Sequence, residues 1–284
     1  MPSQKSSFVF IHGAWHSNRT WDKVMPRLQA AGHACRAIDL PGAGTNARFP
    51  KSFYHRPLNP ARFATEPSPN RAVTQAQRTE AVVDVVRQMT SEGNSKIVLV
   101  GHSLGGLTVS ATAEAVPELL HRTVYLTGFM LPPGMSVVGV HHYEAMATAL
   151  VPGLLMADPQ AVGAQRIDVK SEASDYRAKL REAFYGDVEE RELSAFQSSL
   201  HCDEPASVAV ESSLVTPARY GRVKRHYLCC TEDRAIPLAG QEFMIAAVDE
   251  AIGMKTAVHR LEASHSPFLS MPEQLSEVLL EIAG

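Results

Sequence analysis

The stretch Lys96–Ala115, KIVLVGHSLGGLTVSATAEA, decides the fold predicted for this chain. Its first five residues form a β-branched, leucine-rich run that is typical of a buried strand. Residues 107–115 favour a helix. Between them, residues 101–105 fit G-x-S-x-G, a motif that places Ser103 at a sharp strand-to-helix turn. Because the flanking strand and helix are the context this motif requires, they favour a nucleophilic serine over an incidental one.

Strand-like and helix-like segments alternate along the rest of the chain. Because each strand-like run is apolar throughout, the pattern predicts an α/β fold with a mainly parallel sheet and helices on both faces. The other predicted strands are Phe8–Ile11, His33–Ile38, Thr123–Thr127, Arg225–Cys230 and Thr256–Leu261. The other predicted helices are Trp21–Ala31, Ala81–Met89, Tyr176–Phe184, Glu189–Leu200 and Pro272–Ile282.

Two segments interrupt this alternation. Residues 48–71 contain five prolines, which preclude regular structure over most of the segment and predict a long proline-rich loop. Two roles are open for its aromatic side chains: one wall of an enlarged substrate pocket, or anchors that hold the loop to the surface. Residues 130–222 are too long for one crossover, and we assign about this range to a helical cap over the carboxyl edge of the sheet.

Length and composition predict one α/β domain over residues 1–284, of which 45% are hydrophobic. With 27 basic and 30 acidic residues and no basic block, a nucleic-acid partner is not expected. The absence of a run of about 18 apolar residues, and of a signal peptide, predicts a cytoplasmic protein without membrane contact. The four cysteines are expected to be reduced packing residues, with Cys202 the one candidate for an exposed, reactive thiol.

A serine hydroxyl needs a general base to act as a nucleophile at neutral pH, and histidine is the natural choice. His265 follows the last predicted strand, precedes the last helix and is the last histidine in the chain. This position fits the chain order nucleophile, acid, histidine. His259 lies within a strand pattern and His102 is expected to have a structural role, so both are weaker candidates.

The base in turn needs a carboxylate that fixes its tautomer and stabilises the imidazolium formed during the reaction. Asp233 lies in the loop after the predicted strand Arg225–Cys230 and before the next helix. Glu232, one residue earlier, is the alternative. The predicted triad is therefore Ser103, His265 and Asp233.

The oxyanion of an acyl-transfer reaction needs two backbone N–H donors. Ala14, in the loop after the first strand, and Leu104, directly after the serine, are the predicted donors, and Gly13 allows the close approach that they require. The alternative for the first of these loops is a plain strand-end turn. The candidate substrate-contacting residues, which flank the serine or the oxyanion loop, are Phe129, Met130, Trp15 and His16.

The residues named so far resemble the plant methylesterase and hydroxynitrile lyase family, a branch of the α/β-hydrolases, over nearly the whole chain. The matching blocks are residues 12–14 (HGA), 31–33 (AGH), 37–40 (AIDL), 98–106 (VLVGHSLGG), 224–225 (KR) and 230–233 (CTED). The resemblance implies an α/β-hydrolase fold. It also implies a triad and oxyanion donors at the positions derived above.

This family contains both ester hydrolases and lyases that cleave cyanohydrins. The lyases typically carry a threonine in the oxyanion loop and a lysine directly after the catalytic histidine, whereas Gly13 and Ser266 occupy these positions here. We therefore expect a carboxylic ester hydrolase that acts through an acyl-enzyme on an apolar or aromatic small-molecule ester. Bacterial members that act on bulky aromatic esters, pyrethroids included, are the analogy.

The expected mechanism needs no metal ion and no organic cofactor, and the expected partner is a small-molecule ester. Homodimer formation is left open. Two other functions compete with ester hydrolysis: a hydroxynitrile lyase-type carbon–carbon lyase, and a ligand-binding receptor on a hydrolase fold. Turnover of short p-nitrophenyl esters would distinguish an esterase from both.

Overall fold

The computed structural model describes residues 5–284 and is built around a six-stranded sheet. The strands of this region are β1 (Ser7–Ile11), β2 (Cys35–Ile38), β3 (Ile97–His102), β4 (Leu120–Leu126), β5 (Ala164–Arg166), β6 (Asp203–Pro205), β7 (Lys224–Cys230) and β8 (Ala257–Leu261). The main sheet has the order β2-β1-β3-β4-β7-β8, and each neighbouring pair is parallel. Strands β5 and β6 form a separate antiparallel hairpin in the segment between β4 and β7.

Helices connect these strands. In chain order they are α1 (Met25–Ala30), α2 (Pro60–Thr65), α3 (Gln75–Ser91), α4 (Gly105–Ala115), α5 (Val137–Val140), α6 (Pro159–Val162), α7 (Ser174–Phe184), α8 (Glu190–Gln197), α9 (Ala206–Val210), α10 (Leu238–Ile252), α11 (Pro267–Ser270) and α12 (Pro272–Ala283). Short 3₁₀ turns lie at Asn18–Trp21, Gly44–Asn46, Lys51–Tyr54, Pro117–Leu119, Glu144–Met146, Val151–Leu154 and Tyr220–Arg222.

Both faces of the central strands β1 and β3 are buried, whereas the edge strands β2 and β8 are partly exposed. Successive residues of β1 alternate between two apolar layers, with Phe8 and Phe10 in one layer and Val9 and Ile11 in the other. This alternation follows from the two-residue repeat of a strand, which points neighbouring side chains to opposite faces. The predicted α/β fold with a mainly parallel sheet is confirmed.

The order of the strands fixes where a site can form. The chain moves from β1 to the edge strand β2 and then returns to β3 on the other side of β1. At such a reversal the connections that follow β1 and β3 run in opposite directions, which leaves a crevice at the carboxyl ends of these two strands. Ile11 at the end of β1 pairs with Gly101 near the end of β3. The loop that begins at His12 and the turn that contains Ser103 therefore lie on the two sides of this crevice.

The helix predicted over Trp21–Ala31 is interrupted in the structure. A 3₁₀ turn ends at Trp21, and α1 begins only at Met25. Pro26 explains the break, because proline has no N–H to donate to the preceding turn but is tolerated in the first turn of a new helix.

The proline-rich segment 48–71 contains more regular structure than its composition predicts. Helix α2 starts at Pro60, and the Asn59 side chain caps it by accepting the Arg62 N–H at 3.0 Å. Proline is favoured at this first helical position, where a missing N–H costs nothing. Phe53 and Phe63 are buried and pack against each other with ring centroids 6.2 Å apart.

Arg166 on β5 joins this segment to the cap. Its guanidinium donates to both carboxylate oxygens of Asp203 at 2.6 and 2.7 Å, and to the carbonyl oxygens of Phe63 and Glu66 at 2.5 and 2.6 Å. The guanidinium also lies 5.0 Å from the centroid of the Phe63 ring. These contacts assign the buried aromatic side chains of this segment an anchoring role.

Two further expectations can be compared with the structure. Cys202 is fully buried, and burial raises the pKa of its thiol, so this residue does not have the exposure of a reactive cysteine. Within residues 5–284, no helix is both long enough and apolar enough to cross a membrane.

Several histidines are buried under the carboxyl edge of the sheet. His12 and His16 follow β1 and are only 1% and 2% exposed. Burial is the main cause that lowers the pKa of each imidazole to about 3, because the cation would lose its hydration. Both side chains are therefore neutral at the pH at which the protein folds.

The first prediction concerns pH and stability. Below about pH 6.5 the unfolded chain protonates His12 and His16, whereas the folded protein does so only near pH 3. The free energy of unfolding should thus fall as the pH drops from about 7.5 to about 5, by on the order of 2 kcal/mol for each histidine. Urea unfolding at the two pH values measures this loss. His16→Gln should reduce the slope, and equal stability at both pH values would contradict the prediction.

The second prediction concerns the buried Arg166–Asp203 pair. Arg166→Leu leaves a buried carboxylate unpaired, so the free energy of unfolding should fall by about 3–5 kcal/mol. Arg36→Gln is the matched control, because the Arg36–Glu92 pair is partly exposed and its removal should cost less than about 1 kcal/mol. Denaturant unfolding of both variants tests the difference, and equal losses would show that Arg166 does not anchor the segment.

Candidate active site

The turn between β3 and α4 places Ser103 at the crevice. Ser103 has φ 51°, a left-handed conformation that is uncommon for residues other than glycine. Its N–H donates to the Leu126 carbonyl at 3.2 Å, and its own carbonyl accepts the N–H groups of Gly106 at 3.0 Å and Phe129 at 2.9 Å. These bonds to both neighbouring segments hold the serine at the top of the sheet.

Two glycines make this turn possible by removing side chains from a crowded contact. A Cβ atom on Gly101 would lie 2.4 Å from a methyl group of Val109, and one on Gly105 would lie 2.5 Å from the His12 carbonyl oxygen. Neither distance is compatible with van der Waals radii. The glycines therefore let α4 approach β1 and β3 closely enough to present Ser103.

His265 and Asp233 form a buried pair at the ends of β8 and β7. The Nδ1–H of His265 donates to Oδ2 of Asp233 at 2.6 Å, and both residues are at most 3% exposed. Since Nδ1 carries the proton, Nε2 of the neutral ring is free to accept one. This is the tautomer that a general base requires.

The structure also favours Asp233 over Glu232, and His265 over His259 and His102. Glu232 is exposed, and the His259 ring lies 3.2 Å from Nδ1 of His226 beside the amino ends of the strands. His102 donates from Nε2 to the backbone carbonyl of His265 at 2.9 Å. His102 thus holds the loop that contains His265, and its Nε2 is occupied by this contact, so it is not the better candidate for the base.

Residues that the sequence analysis did not identify hold the acid in place. The Thr127 hydroxyl donates to Oδ2 of Asp233, and the N–H groups of Ala235 and Ile236 donate to Oδ1 at 2.7 and 2.9 Å. Together with His265, these donors satisfy both carboxylate oxygens. Thr127 stands at the end of a strand, which was the only signal for it in the sequence.

A residue of the segment between β4 and β7 also holds the loop that contains His265. Asp187, which follows α7, accepts the Ser264 N–H at 3.1 Å with one oxygen and the Ser264 hydroxyl with the other. Ser264 immediately precedes His265. Nothing in the spacing of the sequence pointed to Asp187, because the contact joins positions 77 residues apart.

Ala14 and Leu104 lie beside Ser103, and all three line one cavity. Within residues 5–284, neither of their N–H groups donates a hydrogen bond to a backbone carbonyl. The next N–H along, that of Trp15, instead donates to Glu204 at 3.4 Å. The two donors predicted for an oxyanion hole are therefore both available at the serine.

Hydrogen bonds also fix the tautomers of the buried histidines. The Leu40 N–H donates to Nε2 of His12 at 3.2 Å, so the proton of His12 is on Nδ1, which donates to the Gly13 carbonyl at 2.8 Å. The N–H and C=O of a trans peptide unit point in opposite directions. Holding the Gly13 carbonyl therefore aims the Ala14 N–H the other way.

The cavity over Ser103 has a volume of about 40 Å³. Its lining is apolar except for a few polar side chains and includes no Lys, Arg, Asp or Glu among the residues that the structure describes. Burial lowers the pKa of His141, which favours its neutral form. The lining residues are Ala14, Trp15, Ser103, Leu104, Phe129, Val137, His141, Val151, Gln165, Phe184, Ala235 and Ile236.

Only two of the four residues predicted to contact substrate line this cavity. Phe129 and Trp15 do, whereas Met130 packs into the apolar layer on the opposite face and His16 is buried behind the oxyanion loop. Phe129 and Met130 are adjacent in the chain, but their side chains pack into two different apolar layers. The aromatic side chains of segment 48–71 do not reach the cavity either.

Among the described residues, no three or more His, Cys, Asp or Glu side chains form a group that could hold a metal ion. The arrangement brings together a serine, a histidine with a fixed tautomer, a buried carboxylate and two backbone N–H groups.

Comparison with known proteins places this arrangement in a family. Salicylic acid-binding protein 2 of Nicotiana tabacum is 28% identical over 299 residues, which cover 97% of this chain and 96% of that protein. Methylesterase 2 of Arabidopsis thaliana is 29% identical over 286 residues, which cover 99% and 97%. The resemblance to plant methylesterases predicted from the sequence is thereby confirmed.

The fold agrees with a solved structure as well. The crystal structure of the pyrethroid hydrolase PytH superposes with a TM-score of 0.77 at 23% identity, over 99% of this chain and 98% of that one. The sequence model of the alpha/beta hydrolase family matches residues 8–278. Since this match spans nearly the whole chain, the protein belongs to the alpha/beta hydrolase family.

Proposed function

We propose that this protein is a serine carboxylesterase that cleaves small, apolar or aromatic esters through an acyl-enzyme on Ser103. The observation that carries the proposal is the left-handed Ser103 turn, which shares a cavity with two N–H donors, beside a buried His265–Asp233 pair. Relatives that are esterases by name, such as Methylesterase 2, support hydrolysis of esters as the reaction class.

In the first half of the reaction, the Ser103 hydroxyl attacks the ester carbonyl while Nε2 of His265 takes the hydroxyl proton. The carbonyl oxygen becomes an oxyanion and accepts hydrogen bonds from the N–H groups of Ala14 and Leu104. The bond to the alcohol oxygen then breaks, and His265 returns the proton to the departing alcohol. The acyl group remains on Ser103.

In the second half, water takes the place of the alcohol. His265 removes a proton from water, which attacks the acyl carbonyl, and the carboxylic acid leaves as Ser103 regains its proton. Asp233 keeps the His265 proton on Nδ1 and stabilises the imidazolium that forms in each half. The four donors on its carboxylate hold it in this orientation.

The lining of the cavity supports an uncharged substrate. An ester with a carboxylate or an ammonium near the reacting carbonyl would have to leave its charge unpaired among apolar side chains. An aromatic or short aliphatic acyl group would contact Phe129, Phe184 and Trp15 instead. PytH is a pyrethroid hydrolase by name, and its fold is the same, which agrees with an apolar ester.

Two residues make cyanohydrin cleavage the weaker alternative. Ser266 is buried and carries no positive charge that could stabilise a departing cyanide. A Cβ atom at Gly13 would lie 2.8 Å from Cβ of Ser103, so this loop cannot accept the threonine of the lyases without moving.

The third prediction tests the nucleophile. Ser103→Ala should lower kcat for p-nitrophenyl acetate by about 10⁴-fold or more, because the attacking oxygen is removed. The melting temperature should stay within a few degrees of the wild type, since only one polar atom is lost. Appreciable turnover by the folded variant would contradict the assignment of Ser103 as the nucleophile. A folded wild type that turns over no ester would favour a ligand-binding receptor.

The fourth prediction tests the acid against its neighbour. Asp233→Asn favours the wrong tautomer of His265, so kcat should fall by about 10⁴-fold while the fold is kept. Glu232→Gln is the matched control, since this exposed side chain is one residue away, and it should keep nearly full activity. Steady-state kinetics of the two purified variants decide between them, and the reverse pattern would make Glu232 the acid.

A further inference from the structure

Trp15, directly after the proposed oxyanion donor Ala14, has an unfavourable backbone conformation. Its φ is 59°, in the left-handed region that bulky side chains rarely adopt. Such a conformation is unfavourable and persists only when surrounding contacts impose it. The contacts that Trp15 makes therefore maintain this conformation.

Three hydrogen bonds to Trp15 come from the cap. Its N–H donates to Oε2 of Glu204 on β6 at 3.4 Å, and its indole N–H donates to the Gln165 carbonyl on β5 at 2.9 Å. Its carbonyl accepts the His201 N–H at 3.0 Å. Glu204 on β6 and His201 just before it thus bind the backbone N–H and C=O of the left-handed residue, while Gln165 on β5 binds its indole.

Glu204 is itself rigidly placed. Its side chain is fully buried and forms an ion pair with Arg78 on α3, which also donates from Nε to the Pro41 carbonyl at 3.2 Å. A buried carboxylate with a single charged partner has little freedom to move away. Glu204 therefore connects the oxyanion loop to the helix layer beneath the sheet.

A second contact from the cap acts on Ala14 through a histidine. The Tyr185 hydroxyl donates to Nε2 of His16 at 3.0 Å, which leaves the His16 proton on Nδ1. That N–H donates to the Ala14 carbonyl at 2.6 Å. Tyr185 thus fixes the tautomer that holds the peptide unit between Ala14 and Trp15.

We propose that Glu204 and Tyr185 are positioning residues for the oxyanion hole, and that the cap sets the direction of the Ala14 N–H through them. The proposal rests on the serine esterase function given above. Without these contacts Trp15 relaxes toward negative φ, and the peptide unit between Ala14 and Trp15 turns. The Gly13–Ala14 unit, which carries the Ala14 N–H, is joined to it at the Ala14 Cα and shifts with it, although His12 still holds the Gly13 carbonyl. The Ala14 N–H then moves out of line with the oxygen that becomes negatively charged.

The test compares cap variants with buried residues of the same type at other places in the fold. Glu204→Gln keeps an oxygen acceptor for Trp15, Glu204→Ala removes it, and Tyr185→Phe removes the donor to His16. The controls are Asp249→Asn, at a buried ion pair with Arg225, and Tyr220→Phe, whose hydroxyl is bonded to Tyr125.

A mispositioned oxyanion donor affects the transition state more than the bound ester. We expect kcat for p-nitrophenyl acetate to fall about 10- to 100-fold in Glu204→Ala and Tyr185→Phe, with less than about a threefold change in KM. Glu204→Gln should lose less than Glu204→Ala. Both controls should keep kcat within about twofold, although they remove equally buried contacts.

Binding of phenylboronic acid, compared with binding of benzamide, distinguishes a mispositioned oxyanion donor from partial unfolding. Its boron becomes tetrahedral on Ser103 and places an oxygen in the oxyanion hole, whereas benzamide keeps a planar carbonyl. Affinity for the boronic acid should weaken by the same factor as kcat in the cap variants, with benzamide affinity unchanged. Equal affinity of the wild type and both cap variants for the boronic acid overturns the proposal.

Turnover of p-nitrophenyl acetate separates the two proposals. Turnover that persists in Ser103→Ala, or its absence in the folded wild type, contradicts the proposed serine esterase function, whatever the cap variants do. Ser103-dependent turnover with unchanged kcat in Tyr185→Phe and Glu204→Ala contradicts only the role of the cap. Should Glu204→Ala fail to fold, Tyr185→Phe decides the question, because it removes one hydroxyl and leaves the buried ion pair intact.

Discussion

The close approach of α4 to the carboxyl ends of β1 and β3 is the constraint on which the rest of the site depends. It requires glycine at positions 101 and 105, where any Cβ atom would overlap a neighbour. It also forces Ser103 into its left-handed conformation and points the amino end of α4 at the crevice. The placement of the proposed nucleophile and of the proposed Leu104 donor thus follows from one packing contact.

The parts of the site that follow strand ends could be predicted from the sequence, and the parts held by distant contacts could not. Ser103, Asp233 and His265 each lie within a few residues of the end of an apolar run, so strand periodicity and the required chain order located them. Thr127 also ends a predicted strand, but neither its contact with Asp233 nor that of Asp187 with Ser264 could be inferred, because each joins residues that only the folded chain brings near. Phe129 and Met130 were both predicted to contact substrate, and only Phe129 lines the cavity, because the sequence did not show which side chain after the end of β4 faces it.

The segment between β4 and β7 forms hydrogen bonds to two loops of the candidate site. Asp187 holds the loop before His265, while Glu204 and Tyr185 hold the loop that contains Ala14. His265, the proposed base, and Ala14, a proposed oxyanion donor, lie on opposite sides of Ser103, and both are bonded to this same segment. A change in its packing would therefore affect both parts of the proposed site at once.

The volume of about 40 Å³ over Ser103 has a consequence for kinetics. This is far below the roughly 300 Å³ or more of a usual ligand pocket, so we expect Phe184, Val137 and their neighbours to move aside before an ester can enter. If the protein acts as proposed, this opening would precede binding and would keep the rate of association below that of diffusional encounter.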